Sequence, residues 1–202
     1  MSVTVKSYAP MQVNLREVRR YSGYIGENEA VDALIKECIR EIGGALSYKA
    51  CYSVFPIKIS ANAIDLGFTT VVSGDLAKCL SDCEKIIVFA SSVGLGADRL
   101  IKKYSAVSPA KALVMNALCT ERIESLCDAF CAEMREEFSK NGSTLTPRFS
   151  PGYGDLSLDL QTDLIRITEA QKHIGITLSE NLIMIPTKSV TAIIGINHHK
   201  MA

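Results

Sequence analysis

One long helical pattern limits the folds open to this chain more than any other feature. Between about Pro109 and Phe138 the apolar residues recur every three or four positions, which is the spacing of one face of an α-helix. This stripe consists of Met115, Cys119, Ile123, Leu126, Phe130, Met134 and Phe138. The charged residues opposite it predict a solvated face, and they are Glu121, Glu124, Asp128, Arg135 and Glu136. We therefore expect a long helix with its apolar side against the core.

The remaining patterns favour an α+β fold. Lys85 to Ala90 is an apolar run bounded by charge and Ser, which is typical of a buried central strand, and residues 48–60 have the composition of one or two strands. Residues 181–186 and 189–196 are two apolar segments with a very short connection, which predicts a tight antiparallel pair. Further helices are expected at about 15–20, 29–42, 75–83 and 159–173. Since strands and helices occur in uneven groups, strict alternation and a doubly wound sheet are disfavoured.

Length and charge bound the class of protein. The 202 residues fit one domain, in which residues 1–45 could form a helical lead-in. Lys plus Arg and Asp plus Glu both total 22, so no net positive field exists to hold a nucleic acid. The first 20 residues lack the features of a secretory signal, and no apolar run reaches the roughly 18 residues that span a bilayer. We expect a soluble cytoplasmic protein that binds neither nucleic acid nor membrane.

The cysteines agree with a reducing compartment. Seven are present, an odd number, and none forms a CxxC pair. Cys79 and Cys83, like Cys127 and Cys131, have the i, i+4 spacing of one helix face, but this is not the close-paired spacing of a thiolate metal site. The preferred interpretation is that the thiols are small apolar side chains, and no metal site is predicted.

A glycine turn follows the expected central strand. Ser91 to Asp98 contains Gly94 and Gly96 ahead of a helical segment, a position where backbone amides can bind phosphate. Only two of the three glycines of a dinucleotide-binding fingerprint are present, and no repeated βα pattern surrounds them. A tight strand-to-helix turn is the preferred interpretation.

The segment Thr146 to Asp155 combines a stiff backbone with charged and aromatic side chains. Two prolines and two glycines bend it, and it is a candidate ligand loop. Arg148 could donate two N–H groups to a carboxylate or phosphate, and Gly152 and Gly154 would permit close approach of the backbone to a ligand. Tyr153 offers a ring and a hydroxyl group. A plain structural turn is the alternative interpretation.

Three ordered motifs resemble a known family. The loop Arg148-Phe-Ser-Pro-Gly-Tyr153 is followed by a helix ending Gln171-Lys-His-Ile-Gly-Ile-Thr-Leu-Ser179, and then by Met184-Ile-Pro-Thr-Lys-Ser-Val-Thr191. Together they resemble the reactivation domain of cobalamin-dependent methionine synthase, with its Arg-x-x-Pro-Gly-Tyr loop, its helix with a His-Thr/Ile-Gly ending and its Pro-x-x-Ser-Val-Thr/Ser turn. The strong resemblance covers residues 146–196.

The resemblance implies both a fold and an activity. The fold would be a twisted, mostly antiparallel sheet flanked by helices. The ligand would be S-adenosylmethionine, facing a cobalamin held by a partner protein, a corrinoid-binding methionine synthase. The activity would be reductive methylation of that cobalamin, with a flavodoxin-like or ferredoxin-like protein as electron donor.

The resemblance also implies particular site residues. Arg148 would hold the methionyl carboxylate, and Asp128 would contact the amino group of the ligand. Tyr153 would lie close to the sulfonium or the cobalt and is the catalytic candidate. The other ligand-binding positions would be in the loop itself, at Ser150, Gly152 and Gly154.

Departures from the family leave alternatives open. Where the family loop continues with a Cys-Pro-containing stretch, this chain has Gly154-Asp-Leu-Ser-Leu158. The sequence has no Asp-x-His-x-x-Gly corrinoid motif and no room for folate, homocysteine or cobalamin modules, so a stand-alone version is expected. One alternative is a docking module for a corrinoid protein that has lost ligand binding. Another is an enzyme that acts on a free small molecule through the turn at 91–98.

Overall fold

The computed structural model describes residues 2–24 and 28–198. Within them the chain forms seven helices and ten strands. The helices are α1 Leu15–Tyr21, α2 Glu29–Ile42, α3 Gly74–Cys79, α4 Leu95–Ser105, α5 Pro109–Ser139, α6 Leu160–Ile167 and α7 Ala170–Ile174. The strands are β1 Thr4–Tyr8, β2 Tyr48–Pro56, β3 Lys58–Ile59, β4 Ile64–Asp65, β5 Thr70–Val71, β6 Lys85–Ser92, β7 Ser143–Leu145, β8 Thr177–Leu178, β9 Met184–Ile185 and β10 Ser189–His198.

A five-stranded antiparallel sheet forms the centre of the molecule. Its strand order is β1-β2-β6-β10-β7, so β6 is the middle strand, and every pairing in it is antiparallel. Strand β6 pairs along its whole length with both β2 and β10. The prediction of a buried central strand at Lys85 to Ala90 is therefore confirmed, as is the α+β fold.

Helices cover both faces of this sheet because successive strand residues point to opposite sides. Ile87 and Phe89 of β6 pack into the cluster that contains the apolar side of α5. Ile86 and Val88 pack into a second cluster, formed with residues of α3 and α6. The sheet is thus the middle of three layers.

No helix within the described ranges is long and apolar enough to span a bilayer.

Helix α5 forms the main contact of its layer. Six of the seven stripe residues are buried and Phe138 is partly buried, so the predicted stripe is confirmed. The Phe130 ring lies 4.6 Å from the Phe89 ring and 5.6 Å from the Tyr52 ring, measured between centroids. Helices α1, α2 and α4 pack on other sides of α5.

The expectation of a fully solvated opposite face is wrong at Glu121. Glu121 and Arg122 are each only 1% exposed, and their side chains form an ion pair at 2.6 Å. Arg122 also donates to the carbonyl oxygens of Met11 and Gln12, and Glu121 accepts from the amide of Asn14 at 3.0 Å. The chain ahead of α1 covers this part of α5, which periodicity within α5 alone could not reveal.

The predicted hairpin between residues 181–186 and 189–196 is also wrong. Strand β10 pairs with β6 on one side and with β7 on the other, and the short β9 pairs instead with β8. Four residues of β10, Ala192, Ile193, Ile194 and Ile196, are buried, whereas Ile183 and Ile185 are 58% and 43% exposed. Burial in the central sheet outweighs pairing with a nearby but largely exposed segment.

The predicted helix at 159–173 is divided in two. Helix α6 ends at Ile167 and α7 begins at Ala170, with Glu169 in the left-handed region at φ 46° between them. Gly175 follows α7 at φ 73° and ends it, as the sequence predicts. The N-terminal segment also differs from a purely helical lead-in, because Thr4–Tyr8 forms the edge strand β1.

Removing the Glu121 carboxylate is expected to destabilise the fold strongly. Glu121→Ala leaves the Arg122 guanidinium buried without its counter-charge, a loss of about 3–5 kcal/mol. Glu136→Ala on the same helix removes a carboxylate that is 76% exposed and should change stability by less than about 0.5 kcal/mol. Urea unfolding followed by circular dichroism measures both variants. A loss below about 1 kcal/mol for Glu121→Ala would contradict this account of the pair.

Candidate functional site

The loop from Thr146 to Asp155 leaves the central sheet without losing contact with it. Thr146 donates its amide to Gly195 at 3.0 Å, and Phe149 exchanges two backbone hydrogen bonds of 2.8 Å with Ile193 of β10. The side chain of Arg148 is therefore attached to a segment fixed to the sheet on both sides. This is the rigid support that a binding side chain requires.

Two glycines shape the tip of the loop. Gly152 and Gly154 have φ angles of 82° and 55°, in the left-handed region that favours glycine. A Cβ at Gly154 would lie 2.6 Å from Oδ2 of Asp75, a contact that a movement of the Asp75 side chain can relieve, so the left-handed φ is the main reason for glycine there. The predicted turn chemistry of the loop is present at both positions.

Asp155 fastens the end of the loop to the start of α3. Its carboxylate accepts from the Ser73 hydroxyl, from the Gly74 amide at 2.6 Å and from the Asp75 amide at 3.3 Å. The Ser73 hydrogen bond and the two backbone amides hold the pKa of Asp155 below its usual value. The residue that departs from the family loop thus serves to anchor the loop in this chain.

Arg148 faces α5. Its Nη2 atom lies 2.6 Å from Glu124 and 3.5 Å from Asp128, and its side chain is 27% exposed. Its Nη1 atom is buried and has no hydrogen-bond partner within the described part of the chain. A buried donor without a partner is costly, so Glu124 and Asp128 do not satisfy the whole guanidinium.

An open cavity of about 370 Å³ lies against Arg148. Its lining comes from three parts of the chain: the start and body of α1, one face of α5, and the loop. The lining residues are Asn14, Glu17, Tyr21, Glu121, Glu124, Ser125, Asp128 and Arg148. The cavity is therefore rich in carboxylates and contains one guanidinium group, that of Arg148.

The structure brings some of the predicted site residues together and leaves others apart. Arg148 and Asp128 share the cavity, as the resemblance implies. Tyr153 is 73% exposed and contacts Phe149 edge to face, with 6.1 Å between ring centroids, and it does not line the cavity. The loop positions Ser150, Gly152 and Gly154 do not line it either.

Six lining residues were not identified as site candidates from the sequence: Asn14, Glu17, Tyr21, Glu121, Glu124 and Ser125. Glu124 is one helical turn before Asp128, so the i, i+4 spacing of the two acids was the available signal. Glu17 and Tyr21 lie on α1, more than a hundred residues from the loop. No local pattern connects α1 with the loop, because their proximity depends on the packing of α1 on α5.

In the glycine turn at 91–98, other atoms of the protein occupy the space beside both glycines. A Cβ at Gly94 would lie 2.6 Å from Oγ of Ser47, and one at Gly96 would lie 1.8 Å from the carbonyl oxygen of Ala45. Asp98, in the first turn of α4, accepts from the Thr187 amide at 3.2 Å. The glycines allow α4 to approach the chain before β2, which supports the interpretation as a structural turn.

No cysteine is among the residues that line this cavity, and neither is His173. All seven cysteines are free, five of them buried, and the described residues contain no group of three or more His, Cys, Asp or Glu side chains suited to a metal. Burial raises the pKa of Cys83 to about 11 and that of Cys119 to about 12. His173, in the last turn of α7, contacts Glu169 at 3.2 Å. Of the terminal pair, His198 ends β10, and His199 is outside the described residues.

Fold and loop together define an α+β protein built on a curled antiparallel sheet, with an arginine loop set against an acidic helix. The family model described as the vitamin B12 dependent methionine synthase activation domain matches residues 75–201. The chain therefore belongs to this family. The match includes all three motifs from which the resemblance was inferred, and it leaves α1 and α2 outside.

Solved structures agree with this assignment at the level of the fold. A crystal structure described as the MetH reactivation domain bound to AdoHcy superposes with a TM-score of 0.71 at 15% sequence identity. The alignment covers 100% of this chain and 80% of that one. The predicted activation-domain fold is confirmed. No curated protein matches the sequence significantly.

Loss of the Asp155 carboxylate is expected to loosen the loop. In Asp155→Ala the amides of Gly74 and Asp75 lose their acceptor, and hydrogen exchange at these amides and across residues 150–156 should become faster. In the unsubstituted protein the anchor is present above the usual carboxyl range and is lost as the pH falls through the lowered pKa of Asp155. Asp163→Ala, which removes an exposed pair with Arg166, is the control. Unchanged exchange in Asp155→Ala would show that the loop is held by other contacts.

Proposed function

We propose that this protein binds S-adenosylmethionine at the Arg148 cavity and supports reductive methylation of a cobalamin that lies outside these 202 residues, in a corrinoid-binding methionine synthase. Residues 1–202 would act as one unit in the cytoplasm. The position of Arg148 beside Asp128 in one cavity is the observation that carries the proposed binding. Family membership and the AdoHcy bound to the structural neighbour support it.

The residues of the cavity suit the head group of an amino acid. Arg148 would donate to the ligand carboxylate, and Asp128 would accept from the ligand ammonium group. Glu124 would keep its hydrogen bond to Nη2 and hold the guanidinium plane in place. Ser150, Gly152 and Gly154 would contribute through the loop backbone.

The reaction places modest chemical demands on the protein. S-adenosylmethionine, when bound, would supply its methyl group to the cobalt of a corrinoid that has taken one electron from a flavodoxin-like or ferredoxin-like donor, and S-adenosylhomocysteine would be the leaving group. The contribution of this chain would be to fix the direction in which the methyl group points. Tyr153 is exposed on a loop held by Asp155 and the central sheet, where a large partner-bound group can reach it.

A docking module without ligand is the second candidate function. The observation that favours it is the 2.6 Å contact between Arg148 and Glu124. The Glu124 carboxylate already accepts a hydrogen bond from the guanidinium that a ligand carboxylate would bind. In this case the protein would bind the corrinoid protein through its loop surface and show no affinity for S-adenosylmethionine.

Substitution of Arg148 separates the two functions. Arg148→Ala should weaken binding of S-adenosylmethionine by a factor of about 100 or more, because a charge-assisted contact to a carboxylate contributes about 3 kcal/mol. Arg166→Ala, which removes an exposed arginine of the same charge, should bind as the unsubstituted protein does. Isothermal titration calorimetry measures the affinity of Arg148→Ala, Arg166→Ala and the unsubstituted protein for S-adenosylmethionine. Absence of binding to the unsubstituted protein, with the corrinoid protein still captured, would favour the docking module.

Substitution of Tyr153 tests the methyl-transfer step separately. Tyr153→Ala should bind S-adenosylmethionine within about twofold of the unsubstituted protein, because Tyr153 does not line the cavity. Methylation of the partner cobalamin should nevertheless slow at least about tenfold, which is the range of one positioning contact. Absorbance of the corrinoid during reduction follows the reaction. Val107→Ala removes an apolar side chain of similar exposure, 74%, and serves as control. Equal rates for the two variants would remove Tyr153 from the mechanism.

A further inference from the structure

The walls of the Arg148 cavity carry more negative than positive charge. Four carboxylates line it, those of Glu17, Glu121, Glu124 and Asp128. Three guanidinium groups contact them: Arg20 at 2.5 Å from Glu17, Arg122 at 2.6 Å from Glu121, and Arg148 at 2.6 Å from Glu124. Of the four carboxylates, Asp128 is therefore the one that has no contacting guanidinium of its own among the described residues.

The excess charge lies beside Arg148. Asp128 is 3.5 Å from the same Nη2 atom that contacts Glu124 at 2.6 Å, so one cation serves two carboxylates. Within the described ranges no other cation forms an ion pair with Asp128. The negative charge also affects Tyr21, another lining residue, because burial and the Glu124 carboxylate raise the pKa of Tyr21.

An amino-acid head group does not remove this excess. Its carboxylate and its ammonium group cancel, so a zwitterionic ligand that binds to Arg148 and Asp128 leaves the cavity with the same net charge. One further positive charge on the ligand would neutralise it. S-adenosylmethionine carries that charge on its sulfonium, whereas the thioether that remains after methyl transfer is neutral.

We infer that the cavity selects a cationic ligand and binds the sulfonium form more tightly than the neutral thioether. The inference rests on the proposed function and assigns Asp128 and Glu124 as the residues that determine this specificity. Transfer of the methyl group also removes the charge that the cavity recognises, so the product is released more easily than the substrate.

The expected size of the preference is about tenfold. Two opposite charges about 4 Å apart contribute a factor of about five in bulk water and more at a partly buried site, so about tenfold is expected for this open cavity. Asp128 is 77% exposed, which keeps the effect at this level. Because exposed charges are screened by salt, the preference should shrink as ionic strength rises.

Calorimetric titration with three ligands tests the inference. The ligands are S-adenosylmethionine, S-adenosylhomocysteine and sinefungin, in which an amine-bearing carbon replaces the sulfonium sulfur. The two cationic ligands should bind about tenfold more tightly than S-adenosylhomocysteine in low salt. Sinefungin distinguishes a requirement for charge from a requirement for the methyl group.

Two variants assign the preference to residues. Asp128→Asn keeps the ion pair between Arg148 and Glu124 and should reduce the ratio of affinities to about threefold or less. Glu124→Gln is the second variant, in case the first changes head-group binding for all three ligands equally. Glu136→Gln makes the same change of charge at an exposed position of α5 and should leave the ratio at about tenfold.

The outcomes separate this inference from the proposed function. Equal affinity of the unsubstituted protein for all three ligands, with binding lost in Arg148→Ala, would overturn the inference and leave the proposed function standing. A preference that persists in both Asp128→Asn and Glu124→Gln would also overturn it. If none of the ligands binds, the proposed function fails and the inference fails with it.

Discussion

The buried ion pair between Glu121 and Arg122 determines how the N-terminal part of the chain meets the rest of the fold. Two charges in the core are costly to desolvate, and here both side chains also form hydrogen bonds to backbone groups of residues 11–14. The chain ahead of α1 is therefore held in one register on α5. Since α1 begins immediately afterwards, this register also places Glu17 and Tyr21 at the edge of the Arg148 cavity.

The same helix connects the core to the candidate site. One side of α5 packs on the central sheet through Phe130, and Glu124 and Asp128 project from another side toward Arg148. The loop that carries Arg148 is itself joined to that sheet at Ile193. Guanidinium and carboxylates are thus fixed by two elements that share one rigid support, which is how a fold limits the entropy lost on binding a small ligand.

Much of this arrangement could be predicted from local sequence patterns, and the errors have a common cause. The stripe of α5, the apolar strand at Lys85 and the stiff loop around Arg148 each depend on residues close in sequence. The burial of Glu121 and the pairing of β10 depend on segments about a hundred residues away. The residues that line the cavity show the same contrast. Arg148 and Asp128 could be predicted from sequence motifs, whereas Glu17 and Tyr21 reach the cavity only because α1 packs on α5.

The contact between Arg148 and Glu124 stabilises the wall of the cavity. A half-buried guanidinium without a counter-charge would destabilise the fold, and Glu124 supplies that charge through Nη2. Asp128 lies 3.5 Å from the same guanidinium, so one donor group and two carboxylates meet in the cavity. A carboxylate ligand alone would satisfy the donor but add to the negative charge, and a simple cation would do the reverse. A ligand that carries both groups, with a net positive charge, satisfies both conditions at once, and this combination argues for a sulfonium amino acid over a simple anion.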